Sequence, residues 1–270
     1  MKKKRKVTSV LITLAIIYVL LCLGVFVMQD ALLFPGANFG SDATPKVKNV
    51  RVETNQTADG TSYRLAIAKS IGKPKAVVLF FLGNGETLQS GVSRAAGFAG
   101  YGFESIASEY PGYGGSAGSP SYESFLAAAD ASGKWASALA KKLGVPLYLV
   151  GQSIGSFSAV HLAANGLGER LLLISPPTTI AAAGQSRFWF LPVGLLLRHL
   201  FDNMERAADV KIPTLVIHGD RDTIVPVEMG KAVAAAIPGA EFELAKGYGH
   251  NSMDPSFVGP FRERIRAHFQ

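Results

Sequence analysis

The fold of this chain is limited above all by continuous apolar runs that alternate with segments of helical period. The runs AVVLFFL (76–82) and PLYLVG (146–151) carry no charged residue, which is typical of strands buried on both faces of a sheet. Further strands are predicted from Val50, from Tyr63, and at 105–110, 170–174, 213–219 and 241–245, with helices at 87–99, 121–143, 154–164, 227–237 and 255–269. This alternation predicts an α/β fold with a central, mostly parallel sheet flanked by helices.

One segment, at about 176–211, breaks the alternation. It contains SRFWFLPVGLLLRHLF (186–201) and has no strand signal. It follows a predicted sheet strand, and folds of this class bind ligands at the carboxyl ends of their strands. We therefore predict a short apolar cap insertion over that end of the sheet.

The N-terminus carries a second apolar signal. Five basic residues at 2–6 precede an uncharged apolar run at 7–28, which is long enough to span a bilayer. We predict a basic cytoplasmic flank (1–6), a transmembrane anchor (7–28), a linker (29–48) and a folded domain (49–270). Positive charge stays in the cytoplasm, so a single-pass protein with a periplasmic or otherwise extracytoplasmic domain is expected.

A cleaved signal peptide is the main alternative to the anchor. No Ala-x-Ala-like site follows the apolar run, which argues against cleavage. Lipoprotein processing at Cys22 is disfavoured because Leu21 before it is larger than the small residue usual there.

Charge and cysteine content exclude several classes of function. The net charge is +7, but the basic residues at 2–6 supply five of those charges and the rest of the chain is nearly balanced. No broad basic surface for nucleic acid is therefore expected. The single cysteine lies within the apolar run, so the folded domain has no disulfide, no Cys-rich zinc site and no Cys nucleophile. No metal, cofactor or particular oligomeric state is predicted.

The pattern Gly151-Gln152-Ser153-Ile154-Gly155 fits Gly-x-Ser-x-Gly. In that pattern the serine lies on a sharp turn between a strand and a helix, and the glycines remove side chains that would clash there. Here the pattern follows a predicted strand and opens a predicted helix. Ser153 is therefore the candidate nucleophile.

A serine nucleophile needs a histidine base that is oriented by an acid, and in this arrangement they follow in the order Ser, acid, His. HGDRDTIVP (218–226) supplies the acid at the end of a predicted strand, and GYGHN (247–251) supplies the histidine. We predict Asp222 as the acid and His250 as the base, with Asp220 as the alternative acid. His218 is expected to make a structural hydrogen bond.

Backbone N–H groups must stabilise the negative oxygen of a tetrahedral intermediate. One donor is expected at Ile154, directly after the nucleophile. The other is expected in the turn after AVVLFFL, where we select the N–H of Asn84; a plain glycine turn is the alternative.

These motifs together resemble the α/β-hydrolase superfamily, and within it the branch of small, N-terminally membrane-anchored serine hydrolases that includes eukaryotic protein depalmitoylases. The resemblance runs from the anchor to the C-terminus through QDALLFP, LGNGE, EYPGYGGSAGSPS, GQSIGS, HGDRDTIVP and GYGHN. It implies an α/β-hydrolase fold with Ser153, Asp222 and His250 as triad. Leu82 departs from the family, where many members have histidine before the Gly-Asn turn.

The expected function is cleavage of ester or thioester bonds in small or lipid-like acyl substrates through an acyl-enzyme. An amidase, a peptidase or an acyltransferase could use the same triad, and a catalytically silent membrane-bound binding protein is an alternative of another class. The cap either packs as a helix on the domain, or forms an apolar lid that receives an acyl chain or touches the bilayer. For the lid, the pocket candidates are Phe188, Trp189, Phe190 and Leu195.

Overall fold

The computed structural model describes residues 2–39, 47–253 and 261–270. Its centre is an eight-stranded sheet within those residues. The strands are β1 (Val50–Gln56), β2 (Ser62–Ala68), β3 (Val77–Phe81), β4 (Glu104–Ser108), β5 (Leu147–Gln152), β6 (Arg170–Ile174), β7 (Thr214–Gly219) and β8 (Glu241–Ala245). Their spatial order is β1-β2-β4-β3-β5-β6-β7-β8, and β2 runs in the opposite direction to the other seven strands. The predicted, mostly parallel sheet is confirmed.

Helices and short helical turns connect these strands. They are α1 (Lys2–Leu33), α2 (Gly36–Phe39), α3 (Leu88–Gly100), α4 (Tyr122–Leu143), α5 (Gly155–Ala164), α6 (Ile180–Arg187), α7 (Val193–Leu196), α8 (Met204–Ala207), α9 (Val227–Ala236) and α10 (Arg262–His268). A single 3₁₀ turn covers His250–Ser252. Of the predicted final helix at 255–269, residues 255–260 lie outside the described part of the chain.

The sheet is buried on both faces, as its continuous apolar strands require. Along β3, Val78 and Phe80 pack into a core with α3 and α10, whereas Val77 and Leu79 pack into a second core with α4, α5 and α9. Alternate residues of a strand point to opposite faces. A strand with helices packed on both faces of the sheet must therefore be apolar at every position.

A buried ion pair holds the loop 109–121 that follows β4. Arg64 of β2 donates from Nε and from a terminal nitrogen to the two carboxylate oxygens of Glu109, at 2.8 and 3.0 Å. Glu109 also accepts hydrogen bonds from the hydroxyl of Ser116 and the N–H of Leu88. Since breaking a buried pair by removing one partner typically costs about 3–5 kcal/mol, this loop is firmly fixed beside the carboxyl ends of β3 and β4.

The cap insertion (176–211) carries α6, α7 and α8, and its only strand-like feature is an isolated bridge between Thr179 and Asp202. All of its residues are described. It leaves the sheet after β6 and returns before β7, as a segment over the carboxyl ends of the strands would.

Helix α1 differs from the predicted division into anchor and linker. Residues 6–33 form one helix that is long and apolar enough to cross a membrane, and none of its most apolar stretch is buried in the protein. The predicted linker at 29–48 begins inside this helix. Phe34 then enters the core, where its ring contacts Phe125 and Phe201. An apolar residue directly after the helix thus joins it to the domain without a flexible spacer. Residues 40–46 lie outside the described residues.

Candidate active site

Ser153 lies on a strained turn between β5 and α5. Its backbone φ is +52°, a left-handed conformation that non-glycine residues adopt only when the surroundings enforce it. A Cβ at Gly155 would come within 2.3 Å of the Phe81 carbonyl oxygen, and one at Gly151 within 2.6 Å of the Gly155 carbonyl oxygen. Both glycines of the motif are therefore required by close backbone approach.

The structure brings the three predicted triad residues into one hydrogen-bonded chain. Nε2 of His250 lies 3.0 Å from Oγ of Ser153, and Nδ1 of His250 lies 2.6 Å from Oδ2 of Asp222. The Asp222 side chain is completely buried and that of His250 is 9% exposed. Both distances are in the range for direct proton transfer or hydrogen bonding between a nucleophile, a base and its orienting acid.

The surroundings of Asp222 favour its ionised form. The backbone N–H groups of Ile224 and Val225 donate to Oδ1 at 2.9 and 2.8 Å, and Nε2 of His218 lies 3.2 Å from Oδ2. Burial acts to raise the pKa of Asp222, but the hydrogen bonds from His218 and His250 outweigh it and hold that pKa well below its usual range. Asp222 is thus a carboxylate that can orient His250 and stabilise its protonated form.

His218 makes the structural hydrogen bond predicted for it. Its Nε2 also lies 2.9 Å from the carbonyl oxygen of Val225. A carbonyl can only accept, so Nε2 must carry the proton and can donate to Asp222 as well. Gly230 makes room for this ring, because a Cβ there would come within 2.1 Å of Nδ1. In the sequence, the only sign that His218 would support Asp222 was the four-residue separation of the two at the end of a strand.

Asp220, the alternative acid, has a different partner. Its Oδ1 accepts a hydrogen bond of 2.6 Å from the N–H of Gly247, in the loop that leads to His250. It therefore fixes the start of that loop, whereas Asp222 contacts the imidazole itself.

The two predicted oxyanion donors lie in turns that leave their N–H groups available. Ile154 begins α5, and Asn84 lies in the turn after β3; within the described residues, neither N–H donates a hydrogen bond. The Asn84 carbonyl is held by the hydroxyl of Tyr113 at 2.9 Å and by the N–H of Gly36 at 3.1 Å. Its side chain donates to the carbonyl of Leu33 at 3.2 Å. The end of α1 therefore positions this turn directly.

Both ends of the cap are joined to the nucleophile turn. The N–H of Ser153 donates to the carbonyl of Ile174, just before the cap begins. Near its end, the fully buried Asn203 donates to the hydroxyl of Ser156 and to the carbonyl of Pro177, each at 2.8 Å. Sequence reasoning missed Asn203, because nothing in the local sequence indicates that this asparagine is buried.

The predicted pocket residues are only partly brought together. An apolar groove of about 290 Å³ lies between α1 and the cap, and Phe188 is one of its lining residues. Trp189, Phe190 and Leu195 do not line it; Trp189 and Leu195 are 81% and 86% exposed. The reason is that α1 supplies one wall of the groove. The lining residues that the prediction missed include Val25, Leu32 and Leu33 of α1 and Ile180, Gly184 and Leu191 of the cap.

Within the described residues, no group of three or more His, Cys, Asp or Glu side chains is arranged to hold a metal ion.

Comparison with known proteins agrees with this architecture. The Hydrolase_4 family, described as "Serine aminopeptidase, S33", matches residues 72–205. The uncharacterized protein Rv2307c of Mycobacterium tuberculosis is 32% identical over 232 residues, which cover 83% of this chain and 80% of that protein. Human alpha/beta hydrolase domain-containing protein 17B is 28% identical over 165 residues, covering 58% of this chain and 53% of that protein.

Among solved structures, the Pyrococcus furiosus esterase Pf2001 matches with a TM-score of 0.68 at 16% identity, over 85% of this chain and 95% of that one. The Rhodococcus esterase RhEst1 matches with a TM-score of 0.58 at 20% identity, over 82% and 98%. At such identities the likeness concerns the fold. The chain is a hydrolase with the α/β-hydrolase fold, and it belongs to the α/β-hydrolase superfamily.

Proposed function

We propose that this protein is a serine hydrolase that cleaves ester or thioester bonds of acyl substrates through an acyl-enzyme. The observation that carries the proposal is the hydrogen-bonded chain from Ser153 through His250 to Asp222, with the serine on a strained turn. A turn of this kind presents Oγ at the mouth of the site. The superfamily membership supports hydrolysis in general.

The reaction follows from the hydrogen bonds. His250 Nε2 accepts the proton of the Ser153 hydroxyl as Oγ attacks the carbonyl carbon, while the Asp222 carboxylate stabilises the imidazolium. The N–H groups of Ile154 and Asn84 stabilise the resulting oxyanion. His250 then protonates the leaving alcohol or thiol, and a water molecule activated by the same nitrogen releases the acid from Ser153.

The apolar groove between α1 and the cap favours acyl esters or thioesters over amino-terminal peptide substrates. Its lining is almost wholly apolar and contains no carboxylate; Gln29 is its one polar residue. An aminopeptidase needs an acceptor for the charged α-amino group of its substrate, because burying an unpaired ammonium is costly. An aliphatic chain needs only apolar surface.

We also propose that α1 anchors the enzyme in a membrane with its N-terminus in the cytoplasm. Several of its side chains bond to the cap, so the helix is part of the folded protein and its removal as a signal peptide would disrupt these contacts. Proteolysis of intact spheroplasts tests the topology. The domain should be digested while a cytoplasmic marker survives; full protection of the domain would reverse the orientation.

The proposed reaction is tested by hydrolysis of matched nitrophenyl esters, thioesters and aminoacyl anilides. Wild-type protein should hydrolyse the ester and the thioester. Ser153→Ala should lower kcat by about 10⁴-fold or more. Ser158→Ala, in the same stretch of chain but one turn further along α5, should retain activity. Equal rates for Ser153→Ala and wild type would refute the mechanism, and exclusive cleavage of anilides would make the protein a peptidase.

A further inference from the structure

The groove between α1 and the cap is held together by contacts between distant parts of the chain. Gln29, which is buried, donates to the Leu196 carbonyl and accepts from the N–H of Arg198 at 2.8 Å. Asp30 pairs with both Arg198 and His199 at 2.9 Å. These polar bonds fix the domain-proximal end of α1 to the cap.

A further contact lies much deeper along the same helix. The hydroxyl of Tyr18 donates to the carbonyl of Phe190 at 2.7 Å. Tyr18 is midway along the uncharged stretch from Val7 to Gln29, and it lies about 18 Å from Asp30 at 1.5 Å per residue. If α1 spans a bilayer, the tip of the cap therefore lies alongside the domain-proximal half of the span, within the lipid.

The exposed surface of the cap suits that location. Trp189, Leu195 and Leu200 are 81%, 86% and 63% exposed, an arrangement that is unfavourable in water and favourable against lipid. Arg187 is the only charged residue between Ile180 and Leu197. Its long side chain can extend to the headgroup region.

Several backbone groups in the irregular part of the cap are paired with protein side chains. The side chain of Gln185 donates to the carbonyls of Phe188 and Trp189 at 3.3 Å and accepts from the N–H of Val193 at 3.2 Å. Tyr18 satisfies the next carbonyl, that of Phe190. Such partners matter at membrane depth, because lipid offers no hydrogen bonds to backbone groups.

One wall of the groove is bonded directly to the turn that carries Asn84. One of its lining residues, Leu33, accepts the hydrogen bond from the side chain of Asn84 through its carbonyl. Another lining residue, Ile180, packs against one of the two core clusters of the domain. The volume of the groove, about 290 Å³, is close to the lower end for small-molecule sites, roughly 300 Å³.

We propose that this groove holds the acyl chain of a substrate that resides in the bilayer and enters laterally between α1 and the cap. The proposal rests on the proposed ester or thioester hydrolase function and names its substrate class: esters or thioesters of long-chain fatty acids embedded in a membrane. The anchor then forms half of the substrate site.

A matched pair of substitutions on α1 tests the proposal. Val25 lines the groove, whereas Val27 is 66% exposed and does not line it. Full-length Val25→Trp and Val27→Trp proteins, reconstituted in phosphatidylcholine vesicles, are compared on nitrophenyl esters from acetyl to palmitoyl. Val25→Trp should lower kcat/KM at least tenfold for dodecanoyl and longer esters and less than twofold for the acetyl ester. Val27→Trp should match wild type at every length.

Other outcomes are equally informative. An unchanged chain-length profile in Val25→Trp overturns the groove as the acyl site, and an equal loss at every length would make it a structural contact only. Leu32→Trp, at a second and 62% exposed lining position, repeats the test if Val25→Trp does not fold. Absence of both ester and thioester hydrolysis by wild type at any length would instead refute the proposed function itself.

Discussion

The catalytic turn and the groove between α1 and the cap are held by different kinds of interaction. At the catalytic turn, buried polar groups are fixed at hydrogen-bonding distance by strained backbone and close glycine contacts. At the groove, apolar walls from two distant segments are joined by a few polar bonds. The first region tolerates little change in position. If the second region holds acyl chains as proposed, it should accept chains of different length, because burial of apolar surface is non-directional.

This difference means that chemistry and chain preference should be separable by mutation. Changes at the catalytic turn should lower rates for all substrates alike. Changes at the groove should act on long acyl chains and leave short esters nearly unaffected.

Neutralising the triad acid is expected to have the largest effect. Asp222→Asn removes the charge that stabilises protonated His250, so kcat should fall by about 10⁴-fold for both acetyl and palmitoyl esters. Asp220→Asn keeps an acceptor for the N–H of Gly247 and should lower kcat less than tenfold. Steady-state measurements of kcat in the two variants show which residue is the triad acid. A larger loss of kcat in Asp220→Asn than in Asp222→Asn would assign that role to Asp220.

Removing the polar link between α1 and the cap is expected to have an intermediate effect. Gln29→Ala leaves the Leu196 carbonyl and the Arg198 N–H without this partner. Lost buried hydrogen bonds of this kind cost about 1–3 kcal/mol, so preference for long chains should weaken while acetyl hydrolysis persists. Met28→Ala, at a 59% exposed neighbour, is the control. If Gln29→Ala kept the chain-length profile of wild type, the groove would not determine the preference for long acyl chains.

The smallest expected effect is a change in tryptophan fluorescence, and it tests whether the cap lies in lipid. The chain has two tryptophans, Trp135 on α4 and Trp189 at the cap tip. In Trp135→Phe, fluorescence from Trp189 should be strongly quenched by phospholipids brominated on the acyl chain. In Trp189→Phe, the remaining Trp135, packed against the core, should be quenched much less. Equal quenching of the two would show that the cap tip is outside the bilayer.

The sequence was sufficient to predict the sheet and to propose the catalytic residues because both depend on local patterns. The apolar runs of β3 and β5 reflect burial on two faces, and Gly151 and Gly155 reflect backbone approach at one turn. The assignment of Asp222 rested on its place after a strand and on the family resemblance of HGDRDTIVP, and its contact with His250 agrees with that assignment.

The groove could not be predicted in the same way, because its two walls are far apart in the chain. Tyr18 and Phe190 are separated by 172 positions, and neither has a local pattern that identifies the other. The prediction placed the pocket within the cap alone, at Phe188, Trp189, Phe190 and Leu195, of which Phe188 lines the groove. It treated residues from 29 onwards as a linker, although Gln29 and Phe34 are buried. The apolar pattern of a membrane anchor does not show that one side of the helix also lines a groove.

The central claim is that Ser153 is the covalent nucleophile, and mapping the site of covalent modification tests it most directly. Full-length protein is treated with an alkyl fluorophosphonate and digested, and the modified peptide is sequenced by mass spectrometry. We predict one adduct per chain, on Ser153, and none in Ser153→Ala or after unfolding in denaturant. A stoichiometric adduct on any other residue, or labelling that persists in Ser153→Ala, would contradict the account.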